Sequence, residues 1–293
     1  MEFIPAVFAA AAPLIAIVYD GLERKLRAAL QSRIGPPLLQ TLYDVAKLVG
    51  KSSAHPPAAR AIAFLLSTSV VLQAIALYYV LSLVGSGDLL GGAPVVIVLM
   101  LASQSALSIV PFLVPSPFAQ IGGAREVLLS LVNETALVAS LSIFAFAHSS
   151  TATWWAARSL ALSTALAAIA LSTYAMGGRA PFDLPEAEPE LASGILVEFG
   201  GWTLALALCA NFTRRLLLEL VAASAALLAW VGPGPTTTIA VLVASPAVRA
   251  LYATSSAILG RTRIDVGIAS LSRAYLILLA LSVAGLFLGV LHG

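Results

Sequence analysis

Eight stretches of almost unbroken apolar sequence divide this chain, at about 3–19, 61–84, 93–114, 125–147, 158–176, 198–231, 237–259 and 271–291. Each approaches or exceeds the roughly 20 residues an α-helix needs to cross about 30 Å of hydrocarbon. Lipid offers no partner to a free peptide group, so such segments cross as helices or as strands of closed barrels. Runs of this length exclude barrel strands. With 60% hydrophobic and only 10% charged residues, little chain is left over for a soluble domain. The expectation is an all-α, polytopic transmembrane helix bundle of about eight helices, with 1–293 as a single integral membrane domain. The first segment starts at Glu2 without a basic leader and reads as a retained helix, not a signal peptide.

The sixth stretch leaves two counts open. It is longer than a simple crossing and carries Arg214 and Arg215 at its middle. One long tilted helix is expected; two short ones would give nine spans. Adjacent side chains on a helix point about 100° apart, so one narrow cavity does not hide both arginines. In the long-helix reading one pairs with Glu219, four residues past Arg215, and the other snorkels.

Eight spans put Arg24, Lys25, Arg27, Arg33, Lys47, Lys51, Arg60, Arg125, Arg179, Arg261 and Arg263 on one side, and little beyond Arg158 on the other. Cytoplasmic loops gather Lys and Arg. The basic side is therefore assigned to the cytoplasm, and both termini to the outer face of the cell membrane.

Several chemistries lack their residues. Cys209 is the one cysteine, whereas iron-sulfur clusters usually take four thiolates and structural zinc four Cys or His ligands. His55, His148 and His292 are scattered, and no GxxxxGK[ST] phosphate loop occurs. No redox centre or metal is expected in this chain, so electron carriers would belong to partners. No nucleic-acid partner is expected.

Two polar segments stand out. RAPFDLPEAEPELASGILVE, from Arg179 to Glu198, sets Asp183, Glu186, Glu188, Glu190 and Glu198 between two spans. Pro181, Pro185 and Pro189 deny it a regular helix. It is either a turn of solvated acids or, as Phe182, Leu184, Leu191 and Ile195 favour, a packed loop lining a cavity. In the packed reading Asp183 pairs with Arg179 and Glu186, Glu188 and Glu190 face the pocket. The other segment runs from Glu23 to Pro57. After Pro36 and Pro37, Leu38, Leu42, Val45 and Val49 fall on one helical face and Gln40, Asp44, Lys47 and Lys51 elsewhere. That pattern predicts an amphipathic surface helix in the first cytoplasmic loop. Beside the acidic loop it suggests a docking face for a soluble partner.

Within the fourth stretch, Glu126 and Glu134 lie eight residues apart, about 12 Å along a helix, so water would have to bridge them. An acid inside a span is a functional candidate by default. Glu134 is the stronger candidate, because Glu126 stands beside Arg125 where a local ion pair is the simpler reading.

These segments resemble one family, the membrane subunit shared by respiratory complex I (NADH dehydrogenase subunit 1) and the energy-converting [NiFe] hydrogenases. Arg33, Gly35, Pro36, Gln40, Asp44, Lys47 and Leu48 match its RxGP…Q…D..KL signature. Arg179, Ala180, Pro181, Phe182, Asp183, Leu184, Glu186, Glu188, Glu190, Gly194, Glu198 and Phe199 match RAPFDL.E.E.E…G…E[YF]. GRTRID, with Arg261, Arg263 and Asp265, is similar to PRFRYD before the last helix, and GGAREV with Glu134 to the start of the fourth. The shortened RIGPPLLQ and the LPEAEPE form are similar to the hydrogenase and formate hydrogenlyase branch. Where respiratory members often carry a glutamate in the sixth helix this chain has Asn211, and Glu219 is the candidate substitute.

The resemblance implies a membrane anchor that couples without catalysing. A [NiFe]-hydrogenase-like large subunit and an iron-sulfur small subunit would dock on the cytoplasmic loops through Arg33, Gly35, Pro36, Gln40, Asp44, Lys47, Arg179, Arg261, Arg263 and Asp265. Glu134, Glu126, Glu198, Glu186, Glu188, Glu190, Asp183 and Glu219 would relay redox-linked changes to antiporter-like membrane neighbours that move H⁺ or Na⁺. The alternatives are a quinone-binding subunit of a complex I-like oxidoreductase, the anchor of a sulfur-reducing relative, and a stand-alone secondary transporter. The last usually shows internal repeats, and neither signature is duplicated here.

Overall fold

The computed structural model describes residues 3–51, 58–149, 155–183 and 194–291. Among them the chain forms α1 (Phe3–Leu30), α2 (Gln40–Val49), α3 (Ala59–Ser86), α4 (Leu89–Ile109), α5 (Pro117–Ser149), α6 (Trp155–Met176), α7 (Gly201–Trp230), α8 (Pro235–Ile258) and α9 (Ile264–Leu291), and no strand. Short 3₁₀ turns follow α4 at Val110–Leu113 and precede α7 at Gly194–Glu198. Seven helices (α1, α3, α4, α5, α6, α8 and α9) are long and apolar enough to cross a membrane.

The eighth long helix, α7, is uninterrupted over 30 residues, which settles the sixth apolar stretch as one helix. It fails a hydropathy test because it lies at the centre. Every residue from Leu216 to Ala225 is buried, and α7 packs against α1, α2, α3, α6 and α8. A helix covered all round never meets lipid, so it accommodates Arg214, Arg215 and Glu219 wherever the surrounding helices supply partners.

Small residues set the helix spacing elsewhere. The buried stripe Ala157, Ala161, Ala165 and Ala168 of α6 receives α9 so closely that a Cβ on Gly285 would come within 2.9 Å of the Ala161 nitrogen. Such contacts replace the hydrophobic drive that is absent between helices in lipid.

The surface helix forms as expected, with one change. It buries Thr41 and Val45 while Leu38 and Val49 stay exposed, because it is wedged against α1 and α7 as well as lying at the boundary. The approach is so tight that a Cβ on Gly21 would lie 1.9 Å from the Leu38 carbonyl oxygen. Thr41 donates to Asp20 Oδ2 at 2.9 Å, and Arg24 reaches Asp44 at 3.2 Å.

Candidate functional site

Four charged side chains from four parts of the chain meet inside the basic end of the bundle. Glu23 comes from α1, Arg179 from the loop after α6, Glu219 from α7 and Arg249 from α8, and none is more than 2% exposed. Arg179 donates from Nη2 to Glu23 Oε2 at 2.9 Å and to Glu219 Oε1 at 2.6 Å, and from Nε to Glu23 Oε1 at 3.2 Å. Arg249 Nε reaches the other oxygen of Glu219 at 2.8 Å, and its Nη1 stands 3.8 Å from Glu23 Oε2. Two acids and two bases make the group neutral, which is the condition for keeping charge out of water. Half-exposed Arg27 adds a 2.6 Å bond to Glu23 from the rim.

Aromatic rings cover the flat faces of the two arginines. Tyr252 lies 5.6 Å from the Arg179 guanidinium and Tyr19 lies 5.3 Å from that of Arg249, within cation–π range. Burial by itself would lower the Arg179 pKa, but the hydrogen bonds and charges of Glu23 and Glu219 hold it above the ordinary arginine range. The cation is locked in place.

The adjacent arginines of α7 clamp the end of α6. Arg214 donates from Nη2 to the Met176 carbonyl at 2.7 Å, and Arg215 from Nε to that of Gly177 at 2.8 Å. Cations beside the last carbonyls of a helix satisfy orphan acceptors and oppose its dipole. The 100° between the two side chains is used to grip successive carbonyls, so neither snorkels, and Glu219 pairs with Arg179 and Arg249 instead of with its helical neighbour.

Arg214 also organises the carboxylate of α5. Its Nη1 lies 3.0 Å from Glu126 Oε1 and 2.9 Å from Gln104 Oε1, while Gln104 Nε2 donates to Glu126 at 3.3 Å. Glu126 thus pairs across the bundle and not with Arg125. This cluster stands between two cavities. The outer one, of about 700 Å³, is walled by Leu66, Leu107, Val110, Asp183, Phe199 and Asn211. The inner one, of about 310 Å³, is walled by Ser130, Asn133, Met176 and Phe182. Glu126, Gly178 and Arg214 line both. Glu134 lies outside this cluster, half-buried in a recess between α4 and α5 with Ile97, Met100 and Leu101.

The signature loops are stitched together above the cavities. Asp183 accepts from Arg261 at 3.1 Å, Thr262 donates to the Pro181 carbonyl at 2.9 Å, and Tyr174 donates to that of Ala180. The expected Arg179–Asp183 pair does not form, because Arg179 points into the bundle. Arg263 and Asp265 pair loosely at the surface, 3.6 Å apart, while Arg33, Lys47 and Glu198 are exposed. Gln40 donates to Asp44 at 3.0 Å, and that bond, with Arg24, holds the Asp44 carboxyl below the usual range against a small desolvation. Gly35 and Pro36 shape the turn leading to α2. Glu186, Glu188 and Glu190 lie outside the described residues.

Sequence reasoning missed Glu23, Arg249 and Gln104. Arg249 carried a usable signal, a lone charge within an apolar run, by the rule that singled out Glu134. Glu23 reads in sequence only as the edge of a loop.

The model for NADH dehydrogenase matches residues 4–289, nearly the whole chain. The chain belongs to this family. Hydrogenase-4 component C of Escherichia coli is 31% identical over 220 residues, covering 69% of each chain. Formate hydrogenlyase subunit 4 of the same organism is 34% identical over 208 residues, 67% of this chain and 66% of its own. A membrane subunit of the NADH-quinone oxidoreductase of Rhodopseudomonas palustris is 28% identical and spans 94% of this chain and 91% of its own. The fold matches a chain in the structure of the archaeal membrane-bound sulfane sulfur reductase, with a TM-score of 0.77 at 22% identity over 98% of this chain and 99% of that one. Helices and relatives agree on a multi-pass membrane subunit of a complex I-like or hydrogenase-type respiratory complex.

Proposed function

We propose that this chain is the membrane anchor and coupling subunit of a redox-driven ion pump of the energy-converting [NiFe] hydrogenase type. The observation that carries the reading is the placement of Arg179. It stands at the root of the acidic loop and is bonded into α1 and α7 through Glu23 and Glu219, so a displacement of the loop is a displacement of buried charge. The basic end faces the cytoplasm in this reading. A large subunit with the [NiFe] centre and a small subunit with iron-sulfur clusters dock there on α2, the acidic loop and the turn at Arg261 to Asp265.

Electron transfer in those partners shifts the acidic loop. The neighbouring clamp of Arg214 and Arg215 on the end of α6 transmits the shift to Glu126, and Glu134 hands the change to an antiporter-like neighbour at the α4–α5 flank. Asn211 leaves the outer cavity without the acid respiratory members often place there, and Glu219 serves the ring rather than that cavity. The chain itself moves no electrons.

Purification of the tagged chain in mild detergent tests the reading. Co-eluting subunits with nickel and hydrogen evolution from reduced viologen are expected. A nickel-free assembly with iron-sulfur partners would sink the hydrogenase type and leave the coupling role. A chain that elutes alone and transports ions would overturn both. One observation favours a second reading: the outer cavity has mostly apolar walls, including Leu66, Leu107, Val110 and Phe199, which suit a quinone head. Quinone extracted stoichiometrically from the complex would decide for it.

A further inference from the structure

The route from Glu126 to Glu134 is interrupted at one residue. Met176 lines the inner cavity that holds Glu126, and it lines the recess of about 250 Å³ that holds Glu134. Among the described residues it is the one common to both walls. The two acids are eight residues apart on α5, about 12 Å along the helix, so a proton crosses only on water. A water needs two to four polar partners. The inner cavity supplies them in Ser130, Asn133 and Gln104, and Asn133 Nδ2 is fully buried with no partner of its own. The contact at Met176 supplies none, since Met100, Leu101 and Leu137 stand on its far side.

We propose that Met176 is the gate of this route and that Arg214 sets its position; the proposal rests on the coupling function above. One guanidinium holds both ends of the device, bonding Glu126 Oε1 at 3.0 Å and the Met176 carbonyl at 2.7 Å. With Glu126 ionised, Arg214 is held between them and the thioether closes the contact. A proton arriving on Glu126 from the outer cavity cancels the ion pair. Arg214 then keeps Gln104 and the Met176 carbonyl, the end of α6 moves with it, and the unbranched side chain, with its three rotatable bonds, swings aside. Water joins the two cavities. The proton leaves the Glu126 carboxyl and arrives on the Glu134 carboxylate, with no other change of charge. Glu126, ionised again, recaptures Arg214 and the contact dries.

The test uses the assembled complex in liposomes, driven by reduced methyl viologen, with proton and sodium uptake read per electron consumed. Met176→Gln keeps the size of the side chain but wets the contact, and Met176→Leu keeps both size and dryness. Met176→Gln is expected to lower the ions moved per electron about fivefold or more, the low end of coupling between linked sites, and Met176→Leu to retain the wild-type ratio. Met176→Ala opens the same contact by losing volume and should fail likewise. Glu134→Gln, the control for the relay, should also lose coupling. A wild-type ratio in both Met176→Gln and Met176→Ala beside an uncoupled Glu134→Gln overturns the gate and leaves the relay standing. A wild-type ratio in Glu134→Gln overturns relay and gate together. Equal loss in Met176→Leu and Met176→Gln assigns the effect to packing and overturns the gate.

Discussion

Arg179 Nη2 lies 2.9 Å from Glu23 Oε2, although 156 positions separate the two residues in the chain. The bond joins the start of the first basic loop to the root of the acidic loop, inside the bundle rather than at its surface. Because Glu219 and Arg249 complete the group, both loops are anchored in the same neutral cluster.

Arg249→Met leaves Glu219 Oε2 without its partner in a site closed to water. Removing one member of a buried ion pair costs about 3–5 kcal/mol, so thermal unfolding in detergent should begin many degrees lower. Adding Glu219→Leu restores neutrality, since Glu23 and Arg179 still pair, and should recover part of the loss.

Arg215→Lys keeps the charge but not the planar fork. The bonds to the Gly177 and Gly178 carbonyls, at 2.8 and 3.4 Å, cannot both survive. Hydrogen exchange should rise around residues 174–178 at a cost of about 1–3 kcal/mol, while α7 stays protected.

Tyr275 donates to Asn133 Oδ1 at 2.6 Å, tying α9 to α5. Tyr275→Phe strands a buried amide and should cost about 1–3 kcal/mol. Combining it with Asn133→Leu removes both polar groups and should be milder than the single change, which a thermal-unfolding cycle measures.

Gly21→Ala places a Cβ against the Leu38 carbonyl at 1.9 Å. The turn and α2 must move off α1, exposing the Thr41–Asp20 contact. Faster tryptic cleavage at Arg33 and Lys47, with weaker retention of soluble partners, is expected; unchanged cleavage would contradict the wedged placement of α2.

Asp44 ionises below the usual carboxylate range because Gln40, then Arg24, hold its charged form. A lowered pKa contributes stability that is present above the unfolded value of about 4 and lost as pH falls through the folded one. The tether of α2 should therefore be intact at neutral pH and loosen only in acid. An NMR titration of Asp44 should move upward in Gln40→Ala.

Part of this site was legible from residues alone. Glu134 stood out as an acid inside a span, and the signatures around Asp44 and Asp183 pointed to one basic face. Arg214 and Arg215 were visible as a problem but not as a solution. Whether they snorkel or grip depends on which helix end lies beside α7, and the answer was the C-terminus of α6, whose carbonyls lack partners of their own. Asp183 was matched to Arg179 by proximity along the chain, whereas the turn after α8 brought Arg261 to it and freed Arg179 for Glu23.

Length and apolarity of the spans, the side that carries the basic loops and the amphipathic face of α2 follow from the sequence, because each depends on residues a few positions apart and on transfer from water to lipid. The meeting of Glu23, Arg179, Glu219 and Arg249, the sharing of Arg214 between Glu126 and α6, and the place of Met176 between two cavities were decided by tertiary structure. They depend on the rotation and depth of each helix against the others, which are set by close packing at residues such as Gly21 and Gly285 and leave no local periodicity to read.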